Sequence, residues 1–131
     1  MKSTLISLVL LALVGCSSNS GTTASGGASS VSSGGGSVPA NCTDLTGSSK
    51  PTITMRGFAF DPSCLIVKSG SLVTLTNKDA ADHTFTIDGT SVDVSVPAGQ
   101  TVTGDLSGLS AGTSQFHCKI HPSMTGTIVV Q

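Results

Sequence analysis

Turn-forming residues recur at strand spacing from Pro51 to the end of the chain, and no stretch between them has helical periodicity of useful length. Residues 52–60 read as a first strand, ended by Asp61-Pro62. Residues 65–68 and 72–77 flank a turn at Ser69-Gly70. Asp79 to Asp82 is a polar loop, followed by a strand over 83–88 and the turn Asp88-Gly89. Residues 92–96 stop at Pro97, and further strands are predicted over 100–106, 113–118 and 125–130. Trp and Tyr are absent while Gly, Ser, Thr and Val abound, which favours strands and turns over helices. The expected fold is all-β, a Greek-key sandwich or barrel of about eight strands. Parallel pairing is not expected, because no connection has room for a crossover helix.

The segments before this region are of other kinds. Lys2 precedes an apolar run, Leu5 to Val14, too short to span a bilayer and suited to a signal-peptide core. The run ends in Leu13-Val14-Gly15-Cys16, which resembles the bacterial lipobox. That resemblance implies cleavage before Cys16 and its lipidation; the alternative is an ordinary secretory signal with a chance Cys. Ser17 to Ala40 is almost wholly Ser, Gly, Thr and Ala, and cannot bury enough apolar area to offset its ordering entropy. As a flexible coil it would reach roughly 25–30 Å. The expected organisation is a signal peptide over 1–15, a lipidated Cys and linker over 16–40, and one domain over 41–131. The exported chain keeps five Lys and Arg against seven Asp, a formal charge of −2. That balance gives no reason to expect nucleic acid as a partner.

Chemistry concentrates in Phe116-His117-Cys118-Lys119-Ile120-His121-Pro122-Ser123-Met124. Cys118, His121 and Met124 offer a thiolate, an imidazole and a thioether within seven residues. Thiolate and thioether select copper, and imidazole suits it as well. A trigonal copper site needs one more His, and His83 supplies it. Strand alternation points His83, Phe85 and Ile87 to one face, and Phe116 and Cys118 likewise on their own strand. Each strand thus carries core residues and a ligand atom at one end. The two ends should meet at one pole of the sandwich, with the 119–124 loop returning His121 and Met124 to it.

The pattern Cys-x-x-His-Pro-x-Met-x-Gly over 118–126, after an aromatic-x-Cys strand and with His83-Thr84-Phe85 upstream, resembles the plastocyanin-like cupredoxins. The spacing between His121 and Met124 is similar to that of amicyanin. Phe58-x-Phe60-x-Pro62, Val67-x-x-Gly70 and Val73-x-Leu75-x-Asn77-x-Asp79 extend the resemblance over about residues 52–131. It implies an eight-stranded cupredoxin sandwich with one type 1 copper held by His83, Cys118, His121 and Met124. Leu75, where members often carry an aromatic residue, and the pair Cys42 and Cys64 depart from the family pattern.

Several consequences follow as expectations. With Cys16 assigned to lipid and Cys118 to metal, Cys42 and Cys64 remain for a disulfide in an exported domain; pairing of Cys42 between molecules is the alternative. His117 should face away from the Cys118 side, as a solvent-facing residue or as a second exit for electrons. A second copper there fails, because the chain has only three His. Pro122 should stiffen the ligand loop, and backbone amides near Thr84 and in 119–124 should donate to the Cys118 sulfur. Lys119, beside the thiolate, should favour the reduced form modestly if its charge is near. Pro97, Ala98 and Pro122 should surround His121 with an apolar patch for transient docking of redox proteins. A Cys118–His121 nucleophile lacks an orienting group nearby, so an enzyme is not expected. The function expected is one-electron transfer outside the cytoplasm by a monomeric copper protein, anchored to a membrane through Cys16 on its periplasmic or other extracytoplasmic face. The alternative is a module for copper delivery or resistance.

Overall fold

The computed structural model describes residues 38–131, and the expectations for the signal segment, Cys16 and most of the linker lie outside them. Ten strands are formed: β1 Thr43–Asp44, β2 Thr52–Met55, β3 Phe60–Asp61, β4 Cys64–Val67, β5 Leu72–Asn77, β6 His83–Thr86, β7 Asp93–Val96, β8 Thr101–Asp105, β9 Gly112–His117 and β10 Thr125–Val130. They make two sheets, one ordered β1-β4-β10-β9-β6-β7 and the other β3-β2-β5-β8. Among the described residues there is no helix. The β-sandwich of the sequence reading is therefore correct, with two very short strands added to it.

Two details correct that reading. The stretch 52–60 is not one strand: β2 ends at Met55, and the chain turns through Gly57 and Phe58, both at positive φ, before β3. Parallel pairing also occurs, of β4 with β1 and β10 and of β2 with β5. No crossover helix is needed, because these connections do not lie over one sheet. The chain between β2 and β5 passes through β4, which belongs to the opposite sheet, so two strand directions can agree without a βαβ unit.

Period-two alternation builds the core. Ile53 and Met55 on β2, Leu65 and Val67 on β4, Val73 and Leu75 on β5 and Phe85 on β6 all point inward and are buried. Phe60, Phe85 and Phe116 form an aromatic cluster, with Phe116 centroids 4.9 Å from Phe60 and 4.7 Å from Phe85. Leu75 is fully buried, so the aliphatic residue fills a core position. A disulfide joins Cys42 to Cys64, 22 residues apart, tying the entry to the domain onto β4. Closing a loop of that length stabilises by roughly 3 kcal/mol in the chain-entropy model.

Gly126 shows how tightly the ligand loop's exit is packed. A Cβ there would collide with the Phe116 ring and come within 2.7 Å of the Ser63 carbonyl. The buried Phe116 ring thus occupies the place of the missing side chain. Overpacking of this kind costs typically about 1–3 kcal/mol. Gly126→Ala is expected to destabilise by that much or more in urea denaturation, whereas Gly47→Ala, with open space around its Cβ position, should change little.

Candidate metal centre

Antiparallel pairing of β6 with β9 sets Thr86 opposite His117. The start of β6 and the end of β9 therefore lie at the same end of the sheet. His83 opens β6 and Cys118 follows β9 directly, so the two meet there. Both are fully buried. The loop after Cys118 folds back on itself through the Met124 N–H donating to the His121 carbonyl (2.9 Å) and the Cys118 N–H to the Met124 carbonyl (3.0 Å). This brings His121 alongside the other two and buries Met124 beneath the loop.

Three potential ligand atoms form a small triangle. His83 Nδ1 and His121 Nδ1 are 3.1 Å apart. Cys118 Sγ lies 3.9 Å from His83 Nδ1 and 3.8 Å from His121 Nδ1. A point equidistant from the three atoms lies about 2.1 Å from each, within the range of nitrogen and sulfur bonds to a first-row ion such as zinc, about 2.0–2.3 Å. Among the described residues, these three are the cluster of His, Cys and acidic side chains able to hold a metal ion. Met124 is buried in the same loop. His117 is not part of the set; it is partly exposed beside Asp88, its Nδ1 3.8 Å from Asp88 Oδ2.

Protonation suits the same use. His83 Nε2 donates to Asp79 Oδ2 at 2.9 Å, which assigns the ring proton to Nε2 and leaves Nδ1 as a lone pair facing the triangle. Asp79 also accepts the N–H of Gly57 on Oδ1 (2.7 Å) and of Phe58 on Oδ2 (3.0 Å). The Phe58 amide chiefly lowers its carboxyl below the usual range; burial opposes this, and Gly57 and His83 add to the lowering. Asn77, fully buried, shapes the loop that carries Asp79. Its Nδ2 donates to the carbonyls of Ala81 (2.8 Å) and Val96 (2.9 Å), and its Oδ1 accepts the Asp79 N–H (2.9 Å). Neither Asp79 nor Asn77 was singled out as a site residue from sequence. The signal available was a polar Asn-x-Asp four residues before a ligand His, which reads equally well as an ordinary turn.

The sulfur is prepared as a thiolate. The Thr84 N–H donates to Cys118 Sγ at 3.3 Å, the amide contact expected near Thr84. Burial pushes the thiol up, but the amide of Thr84, then the amide and imidazole of His121 and the amide of Ile120, bring it down to about 6 from 9.0. Thr84 is itself held by a ring of hydrogen bonds. Its Oγ1 accepts the Lys119 N–H (2.8 Å) and contacts Thr86 Oγ1 (3.1 Å). Thr86 Oγ1 donates to Asp93 Oδ1 (2.9 Å), and Asp93 pairs with the Lys119 ammonium. The Lys119 ammonium is paired with Asp93 on the surface, and that carboxylate offsets the charge anticipated to favour the reduced form.

Beside His121, Ile120 and Phe58 are both about half exposed and Pro122 is exposed; elsewhere Pro97 is exposed and Ala98 partly so. Ile120 and Phe58 were not anticipated there. The Phe58 ring stands edge-on to His83 (5.6 Å between centroids) and to His121 (4.9 Å).

Two measurements check this account. In the metal-free domain, thiolate ultraviolet absorbance should rise with a midpoint at about pH 6 and vanish in Cys118→Ala. The folded value is depressed, so the thiolate's contribution to stability is full above the ordinary value and lost as pH falls through about 6. Asn77→Ala should destabilise by about 1–3 kcal/mol in denaturant melts, because it leaves buried carbonyls without donors.

Comparison with known proteins agrees with this geometry. Residues 36–130 match the family model described as a cupredoxin-like domain. No curated protein matches. Among solved structures, a reduced Cu(I) form of an amicyanin variant is 25% identical, covering 63% of this chain and 82% of that one at a TM-score of 0.54. The Cu(I) form of another amicyanin variant is 27% identical over 63% of this chain and 83% of that one, at a TM-score of 0.53. A copper-containing nitrite reductase from Thermus scotoductus SA-01 shares the fold at 22% identity and a TM-score of 0.53, with 63% of this chain spanning 22% of that one. The chain, all-β over its described residues and carrying this His83–Cys118–His121 cluster at one pole of its sandwich, belongs to the cupredoxin-like domain family.

Proposed function

We propose that this protein is a type 1 copper electron carrier, exported and tethered to a membrane through Cys16, with His83, Cys118, His121 and Met124 as ligands to one copper. The observation that carries the reading is the triangle of His83 Nδ1, His121 Nδ1 and Cys118 Sγ. Two imidazole nitrogens and a thiolate sulfur converge there. A trigonal His2Cys set with a thioether nearby is the donor set of blue-copper sites. Family membership and the amicyanin likeness imply the same single copper. When bound, copper supplies a one-electron couple.

The chain's own residues would do the rest. Asp79 holds the His83 tautomer, and the Thr84 N–H offsets charge on the Cys118 sulfur. Two of the ligands hang from strand ends and the other two from a loop closed by its own hydrogen bonds, so little rearrangement is needed between oxidation states. His121 is the only partly exposed member of the cluster and the natural route for electrons. Phe58, Ile120 and Pro122 beside it, together with Pro97, would form the surface on which redox proteins dock transiently. The linker would let this surface turn toward partners while Cys16 stays in the membrane.

Added Cu(II) should give the soluble 41–131 domain an intense thiolate-to-copper absorption in the red and a narrow copper hyperfine splitting in electron paramagnetic resonance. Both should vanish in Cys118→Ala. A pale, ordinary Cu(II) spectrum from the unaltered domain would sink the reading.

A further inference from the structure

Phe58 combines three features that its surroundings do not otherwise explain. It is the one residue other than glycine at positive φ among the described residues, at 59°, a conformation that bulky side chains rarely adopt. The residue remains 51% exposed, so burial does not account for an aromatic residue at this place. Its ring nevertheless packs edge-on against both imidazoles of the metal centre. The strained turn is held from outside itself. Asp79 Oδ1 and Oδ2 accept the amides of Gly57 and Phe58, and Oδ2 also accepts the Nε2–H of His83. One carboxylate oxygen therefore accepts both the backbone amide of Phe58 and the Nε2–H of a ligand imidazole.

We infer that Phe58 is a positioning residue for the metal centre. Its ring is fixed by Asp79 over the solvent edge of His83 and His121, and keeps the His121 imidazole in its ligating orientation. His121 needs such a clamp more than its partners do. His83 is rooted in β6 and Cys118 follows β9, both fully buried, while His121 sits on a partly exposed loop. A near-perpendicular pair of rings is a favourable aromatic arrangement, and it limits swinging of the imidazole. The strain is thus tolerated at a functional position because Asp79 over-determines the turn.

The inference rests on the copper reading, and the test has one arm that does not. Three variants are compared with the unaltered domain: Phe58→Gly, which relieves the backbone strain, Phe58→Leu, which keeps apolar bulk without a ring, and Phe58→Tyr, which keeps the ring. In the metal-free domain, nuclear magnetic resonance should show the His121 ring protons losing an aromatic ring-current shift and broadening in Phe58→Gly and Phe58→Leu, and keeping it in Phe58→Tyr. In the Cu(II)-loaded domain, capture of the metal by a chelator should be at least tenfold faster in Phe58→Gly than in the unaltered protein, with Phe58→Tyr restoring slow release. The reduction potential should move in the same variants. Denaturant midpoints should be equal or higher in Phe58→Gly, which separates positioning from a structural contribution. Unchanged His121 resonances together with unchanged metal release in Phe58→Gly overturn the inference. If the domain takes up no copper at all, the copper reading fails, and the metal-free resonances alone decide whether Phe58 orders His121.

Discussion

Everything at the metal centre depends on the antiparallel pairing of β6 and β9, which sets the start of one strand beside the end of the other. Because side chains alternate, the residues that turn inward near that junction are His83, Phe85, Phe116 and Cys118. The two phenylalanines pack together and onto Phe60, so the aromatic core and the ligand positions share one register. A slip of one residue would expose both ligands and both aromatic rings together. Register is therefore specified by the burial of the core, and the ligand geometry comes with it.

From that junction, polar contacts grade outward in order of burial. Asn77, fully buried, fixes the 77–82 loop through three hydrogen bonds. Asp79, mostly buried, then links His83 to the Gly57–Phe58 turn. Thr84 reaches the sulfur with its amide and the ligand loop with its hydroxyl. Every buried side-chain nitrogen and oxygen among the described residues has a partner. Such satisfaction matters in a dry site, where an unpaired polar group is costly and would give the ligands an alternative to the metal.

The thiolate illustrates how local backbone donors outweigh burial. An apolar site by itself would keep Cys118 protonated, and several amide and imidazole contacts reverse that. The same donors that lower the thiol also limit its motion, so acidity and geometry share one cause.

The all-β class, the ligand candidates and the pole at which they meet are legible in the chain's local pattern. Those conclusions rest on period-two alternation, turn residues and the close spacing of Cys118, His121 and Met124, all local properties of the chain. Mixed parallel pairing, the break at Gly57–Phe58 and the roles of Asn77, Asp79 and Asp93 arise from contacts between distant parts of the chain. Asp79 and Phe58 are 21 residues apart and Lys119 and Asp93 are 26 apart, and such contacts leave no periodic trace in the sequence. An Asn-x-Asp reads the same whether it caps a turn or orients a ligand. Which of these it does depends on what the fold brings within 3 Å of its oxygens, and here His83 is among those groups, beside the Gly57 and Phe58 amides.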